Sequence, residues 1–142
     1  MATEKRATVL IIDDNELTRT VLRMILQGNG FDVAGEASTA DAGLRQAKRL
    51  QPDIICLDIQ MPDRDGLDLL QILVELLPDT TVLMVTAHND AATVRKAVER
   101  GAKGFIIKPF NSGTVLDTVK AVLAQRQSMP AAPRFAPRVG PA

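Results

Sequence analysis

The sequence has 142 residues, 46% hydrophobic and 24% charged, a balance suited to one globular domain with a core of its own. Its 17 Lys and Arg offset its 17 Asp and Glu, so no bulk field calls for nucleic acid or anionic lipid, and neither is expected as a direct partner. The single cysteine, Cys56, excludes an internal disulfide and is read as a packed core residue.

After a short lead (1–6), residues 7–12 form a continuous apolar run of the kind buried on both faces of a sheet. Asp13 and Asp14 end the run, so it is too short for a membrane span. No small-residue cleavage site follows, and the expected location is cytoplasmic. Residues 15–27 predict a helix with Leu17, Val21, Leu22, Ile25 and Leu26 on one face, stopped by Gly28-Asn29-Gly30. A weaker strand spans 31–36. Ser38 or Thr39 can cap the next helix, which carries Ala40, Leu44, Ala47 and Leu50 and breaks at Pro52.

Residues 53–58 predict a third strand, 62–66 a loop, and 67–77 a helix closed near Pro78. Residues 81–86 predict a fourth strand. Asp90 caps a helix expected to turn Val94, Ala97 and Val98 inward before Gly101. Residues 104–108 predict a fifth strand, and Ser112 starts a last helix bearing Val115, Leu116, Val119, Val122 and Leu123. Met24, Met61 and Met84 are read as packing. Pro130, Pro133, Pro137 and Pro141 mark 127–142 as a Pro/Ala-rich flexible tail.

Five βα units with apolar strands predict an α/β fold: a doubly wound five-stranded parallel sheet, flavodoxin-like, in the order 2-1-3-4-5. In such sheets ligands sit beyond the carboxyl ends of the strands. Asp13, Asp14, Asp58, Thr86 and Lys108 all fall at those ends. Singly, each has an ordinary reading as a helix cap, a turn former, a strand residue or a surface lysine. Together they gather three carboxylates, a hydroxyl and an ammonium at one edge. Three close carboxylates repel unless a cation sits among them, and oxygen ligands without a His or Cys cluster suit Mg²⁺. A carboxylate can take a phosphoryl group as a nucleophile, a transfer that rests on positioning and charge neutralisation. Lys108 would supply a further positive charge and Thr86 a donor hydroxyl.

Four segments in this order resemble the receiver domains of two-component response regulators. They are 10–16 (Leu-Ile-Ile-Asp-Asp-Asn-Glu), 52–66 (Pro-Asp-Ile-Ile-Cys-Leu-Asp-Ile-Gln-Met-Pro-Asp-Arg-Asp-Gly), 82–88 (Val-Leu-Met-Val-Thr-Ala-His) and 101–110 (Gly-Ala-Lys-Gly-Phe-Ile-Ile-Lys-Pro-Phe). The resemblance runs from about residue 8 to 125, within a receiver unit taken as 7–126. It implies that Asp58 is the phosphoacceptor. It also implies that Asp14 binds Mg²⁺ directly, Asp13 through water, and the Gln60 carbonyl as a further ligand. Lys108 would pair with the phosphate, and Thr86 would move to bond it. Phe105 would be the switch aromatic, where many members carry Tyr. Gln60 and His88 would tune dephosphorylation, with His88 equally readable as a plain loop residue, and Lys108–Pro109 would be a cis bond.

The implied donor is a sensor histidine kinase or phosphotransfer protein. The resemblance also implies slow self-dephosphorylation, so the chain reads as a regulator and not an enzyme with a separate substrate. No output domain is seen after the receiver, so the signal would leave through a separate protein, through homodimerisation on phosphorylation, or by passing the phosphate on. The alternative is a pseudo-receiver scaffold that does not cycle phosphate. A dehalogenase-type phosphatase would want an acid where Gln60 stands. A flavodoxin-like electron carrier would want aromatics beside the flavin, and the chain has no Trp or Tyr.

Overall fold

The computed structural model describes residues 6–128. Five strands alternate with five helices: β1 (Thr8–Ile12), α1 (Glu16–Gln27), β2 (Asp32–Ala37), α2 (Ala40–Leu50), β3 (Ile54–Leu57), α3 (Gly66–Leu76), β4 (Thr81–Thr86), α4 (Ala91–Glu99), β5 (Gly104–Ile107) and α5 (Ser112–Ser128). The strands form one parallel sheet in the order β2-β1-β3-β4-β5. This is the doubly wound, flavodoxin-like arrangement expected from the alternation of elements.

Alternate strand residues feed two separate cores, because successive side chains point to opposite faces. Leu10, Ile12, Ile55, Leu57, Val82 and Met84 pack under α2, α3 and α4 with Leu69, Leu70, Leu73 and Ala97. Val9, Ile11, Ile54, Cys56, Leu83 and Val85 face α1 and α5, against Leu22, Leu26, Val115 and Val119. Fully burying such a side chain stabilises by roughly 1.5–3 kcal/mol. With helices on both faces, the strands read as unbroken apolar runs.

Each helix opens on a side-chain cap. Asn15 accepts from the Thr18 amide, Thr39 from Ala42, Asp65 from Leu67, Asp90 from Thr93 and Asn111 from Thr114. Such a cap contributes about 1 kcal/mol by satisfying an amide with no partner inside the helix. Thr39 fills the role left open between Ser38 and Thr39. At the far end of α2, Gln51 takes the left-handed conformation (φ 45°) as the C-cap, ahead of Pro52. Gly43 lets α2 lie on β1, since a Cβ there would fall 2.6 Å from Ile12 Cδ1.

Several local expectations are corrected. Leu17 (71% exposed), Val21 and Met24 (66%) point to solvent, leaving Leu22 and Leu26 as the buried contacts of α1. In α4 only Ala97 is buried, and Val98 is turned outward at 56% exposure. Gly66 belongs to α3 and not to the loop before it. Phe31 lies just before β2, still buried against the α1 side of the core. Residues 127 and 128, expected in the tail, belong to α5, while residues 1–5 of the expected lead and 129–142 of the expected tail lie outside the described residues. Among the described residues no helix is long and apolar enough to cross a membrane.

Candidate functional site

The sheet's hydrogen bonds continue one residue past its strands, and those next residues form the site. Asp13 N donates to Ala37 O (3.0 Å), Asp58 N to Ile12 O (3.0 Å) and Lys108 N to Thr86 O (2.9 Å). The backbone of each group is therefore fixed by the ladder that ends beside it. β1 and β3 are neighbours where the strand order reverses, and Asp13 and Asp58 stand at that switch point.

Lys108 Nζ lies 3.0 Å from Asp13 Oδ2 and 3.3 Å from Asp58 Oδ2. Asp13, Asp14 and Asp58 each bring a carboxylate oxygen within 4.8 Å of the others. Asp13 and Asp58 are buried, while Asp14 is exposed. Burial raises the Asp58 pKa above its ordinary value, the Asp13 charge adds to this, and Lys108 opposes both. Burial acts to lower the Lys108 pKa, but the two carboxylates outweigh it and hold the ammonium charged above its usual range.

The β3–α3 loop wraps the site closely. Gln60 N reaches Asp58 Oδ1 at 3.4 Å, and Gln60 pairs with Asp65 in an isolated bridge. Gly66 N donates to Ile59 O, and a Cβ on Gly66 would lie 2.2 Å from Asp58 O. Asp63 reaches across to α2, accepting from the amides of Ala40 (2.8 Å) and Asp41 (3.0 Å). These bonds hold the Asp63 carboxyl below the usual carboxylate range. Neither Asp63 nor Arg19, whose Nη1 donates to Asp13 O, was marked by the sequence.

Thr86 is fully buried, and its hydroxyl accepts from the His88 amide (3.0 Å) in the loop that follows β4. Phe105 is half-buried on β5 against the α2–α3–α4 core. The structure thus brings Asp13, Asp14, Asp58 and Lys108 together, with Gln60 at their rim, and leaves Thr86 and Phe105 one step away. The Lys108–Pro109 bond is cis. Cys56 is buried with its thiol pushed up to about 12 by desolvation, consistent with packing.

One atom tests the site's fitness for a cation. Asp13 Oδ2 is wholly buried, and beyond the Lys108 ammonium at 3.0 Å no donor reaches it among the described residues. Three carboxylates face one ammonium, so the cluster keeps an excess of negative charge. An oxygen-only donor set with that excess and an orphan lone pair fits a hard divalent cation such as Mg²⁺.

Fold and site define a doubly wound α/β domain with an acidic, cation-compatible pocket at its switch point. Comparison with known proteins carries this further. The profile of the response regulator receiver domain matches residues 9–120. The chain is 35% identical over 114 residues to the chemotaxis protein CheY of Thermotoga maritima, covering 80% of this chain and 95% of that one. The crystal structure of a CheY-like receiver domain from Methanospirillum hungatei superposes with a TM-score of 0.81 at 27% identity, over 87% of this chain and 98% of that one. CheY in the CheX–CheY–BeF₃–Mg²⁺ complex of Borrelia burgdorferi gives a TM-score of 0.80 at 32% identity, over 82% and 89%. The chain belongs to the response regulator receiver domains of two-component systems.

Proposed function

We propose that the chain is a phosphorelay switch whose residue Asp58 accepts a phosphoryl group in a Mg²⁺-dependent reaction. The observation that carries this is the contact of Lys108 with both Asp13 and Asp58 at the strand ends, where three carboxylates gather around one ammonium. Asp14, Asp58 and the Gln60 carbonyl would hold Mg²⁺, with Asp13 acting through water. When bound, the ion would neutralise carboxylate and phosphate oxygens crowded at the strand ends.

The donor is a phosphohistidine on a sensor kinase or phosphotransfer protein. An Asp58 oxygen attacks phosphorus, the new O–P bond forms, and the P–N bond breaks with its electron pair passing to the imidazole. Asp58 must be ionised to attack. Lys108 favours that state against burial and against Asp13. After transfer, Lys108 exchanges its carboxylate contact for a phosphate oxygen. Slow attack by water on phosphorus then releases inorganic phosphate and restores the carboxylate. The protein is a regulator with weak self-dephosphorylation, tuned through Gln60 and His88.

The phosphoryl oxygens, carrying about −1.5 to −2 charges near pH 7, draw the Thr86 hydroxyl from the His88 amide, and Phe105 turns into the space released. Couplings of this kind are typically about 1–3 kcal/mol, so the two forms differ in population and not in kind. α4, β5 and α5 then present an altered face to a downstream protein or to a second copy of the chain. The receiver unit, acting in the cytoplasm, spans residue 7 to the end of α5 at Ser128, between a short lead and a tail.

Intact mass after incubation with acetyl phosphate and Mg²⁺ tests the reading, with Asp58→Ala beside it. One added phosphoryl group that requires both Mg²⁺ and Asp58 is the expected result. Binding of Mg²⁺ without any mass gain, from acetyl phosphate or a kinase, would assign an interaction scaffold in place of the switch.

A further inference from the structure

Every polar atom of Asp13 but one has a hydrogen-bonded partner. Its amide donates to Ala37 O (3.0 Å), its Oδ1 accepts from Asn15 N (2.8 Å), and its carbonyl accepts from Arg19 Nη1 (2.6 Å). Oδ2 alone is left, pointed at Lys108. The Arg19 contact is the one that needs a side chain from elsewhere. Asp13 lies past the end of β1 and before α1, so neither element offers its carbonyl a partner.

Arg19 is itself held. Its side chain is only 16% exposed, and its Nε donates to Glu36 Oε1 (3.3 Å) on β2. Glu36 is held in turn, since Arg23 pairs with its carboxylate and Gln46 Nε2 donates to its main-chain carbonyl (2.7 Å). The guanidinium therefore spans two directions at once, one arm to Glu36 and one to the Asp13 carbonyl. A lysine, with a single nitrogen, lacks this fork.

We propose that Arg19 is a positioning residue for the cation site, fixing the Asp13 backbone so that Oδ2 stays presented to the pocket. Glu36 orients Arg19 in this role. The inference rests on the reading of the acidic cluster as a Mg²⁺ site.

The sign of the effect separates positioning from plain electrostatics. Removing a positive charge near an acidic cluster should strengthen cation binding by Coulomb attraction alone. Loss of a positioning contact should weaken it, and outer partners of metal ligands typically contribute about 10–100-fold in affinity. The chain has no Trp or Tyr to report binding, so Mg²⁺ is titrated against the amide NMR signals of Asp13, Asn15 and Gln60 in the full chain.

Arg19→Met is expected to raise the Mg²⁺ Kd about 10-fold. Arg19→Lys, which keeps the charge and is the gentler variant should the first fail to fold, is expected to fall between it and the wild type. Glu36→Gln should weaken binding in the same direction. Unchanged or tighter Mg²⁺ binding in folded Arg19→Met and Arg19→Lys proteins, with Asp14→Asn still abolishing it, would overturn the positioning role and leave the cation site standing. A wild-type chain whose site amides ignore Mg²⁺ would overturn both.

Discussion

Burial pushes Asp58 toward its neutral form, Asp13 pushes the same way, and Lys108 pulls back without cancelling them. The folded pKa thus lies above the ordinary carboxylate value of 3.8. The contribution of Asp58 to stability is therefore full below that value and is lost as pH rises through the folded pKa. In metal-free protein at pH 7, Asp58→Asn should therefore raise stability, because it removes a carboxylate that burial and Asp13 disfavour in its charged form. Thermal unfolding from pH 3 to 8 checks this. The substitution should also flatten the fall that begins above the ordinary carboxylate value, and a lower midpoint at pH 7 would mean that the Lys108 pairing outweighs burial. Asp13, Asp58 and Lys108 were legible in the sequence because each interrupts or follows an apolar run. Arg19 and Asp63 were not, since their partners Glu36 and Ala40 lie 17 and 23 residues away and no local pattern joins them.

Among elements, the β3–α3 loop depends on α2 and α3 for its shape. Asp63 caps two α2 amides from outside that helix, and its depressed pKa means that this support is present above the ordinary value and is lost as pH falls through the folded one. Asp63→Ala should speed hydrogen exchange at the Ala40 and Asp41 amides at neutral pH, and the wild type should approach the variant only well below the ordinary carboxylate range. Equal protection in both proteins at pH 7 would show that the clamp is idle. Gly66 is the tighter constraint. Its missing Cβ leaves room for the Asp58 and Ile59 backbone, so Gly66→Ala should cost about 3 kcal/mol or more, measured by chemical denaturation. Helical spacing showed that Leu17, Val21, Leu22, Ile25 and Leu26 recur on α1, but the stripe is wider than the strip of sheet the helix covers. Periodicity says which residues share a face. How much of that face is covered depends on neighbours that the pattern does not name, and the same limit misplaced Val98 on α4.

At the scale of the whole molecule, a cation that binds only the folded chain stabilises it by mass action, about 2.7 kcal/mol at a hundredfold excess over Kd. Mg²⁺ should therefore raise the thermal midpoint in proportion to the logarithm of its concentration, and EDTA should reverse the gain. Asp14→Asn should remove the concentration dependence while leaving the metal-free midpoint nearly unchanged, because Asp14 is exposed and takes no part in the core. A midpoint insensitive to Mg²⁺ in the wild type would argue against the cation site. The fold class was legible end to end, since five apolar runs separated by helical periods leave few right-handed topologies. The central cysteine, sealed in the sheet with a thiol near 12, has a practical corollary. Thiol-directed reagents cannot see it, so one cysteine introduced at the outward Val98 becomes the sole address for a spin or fluorine label on α4, and the native residue can stay.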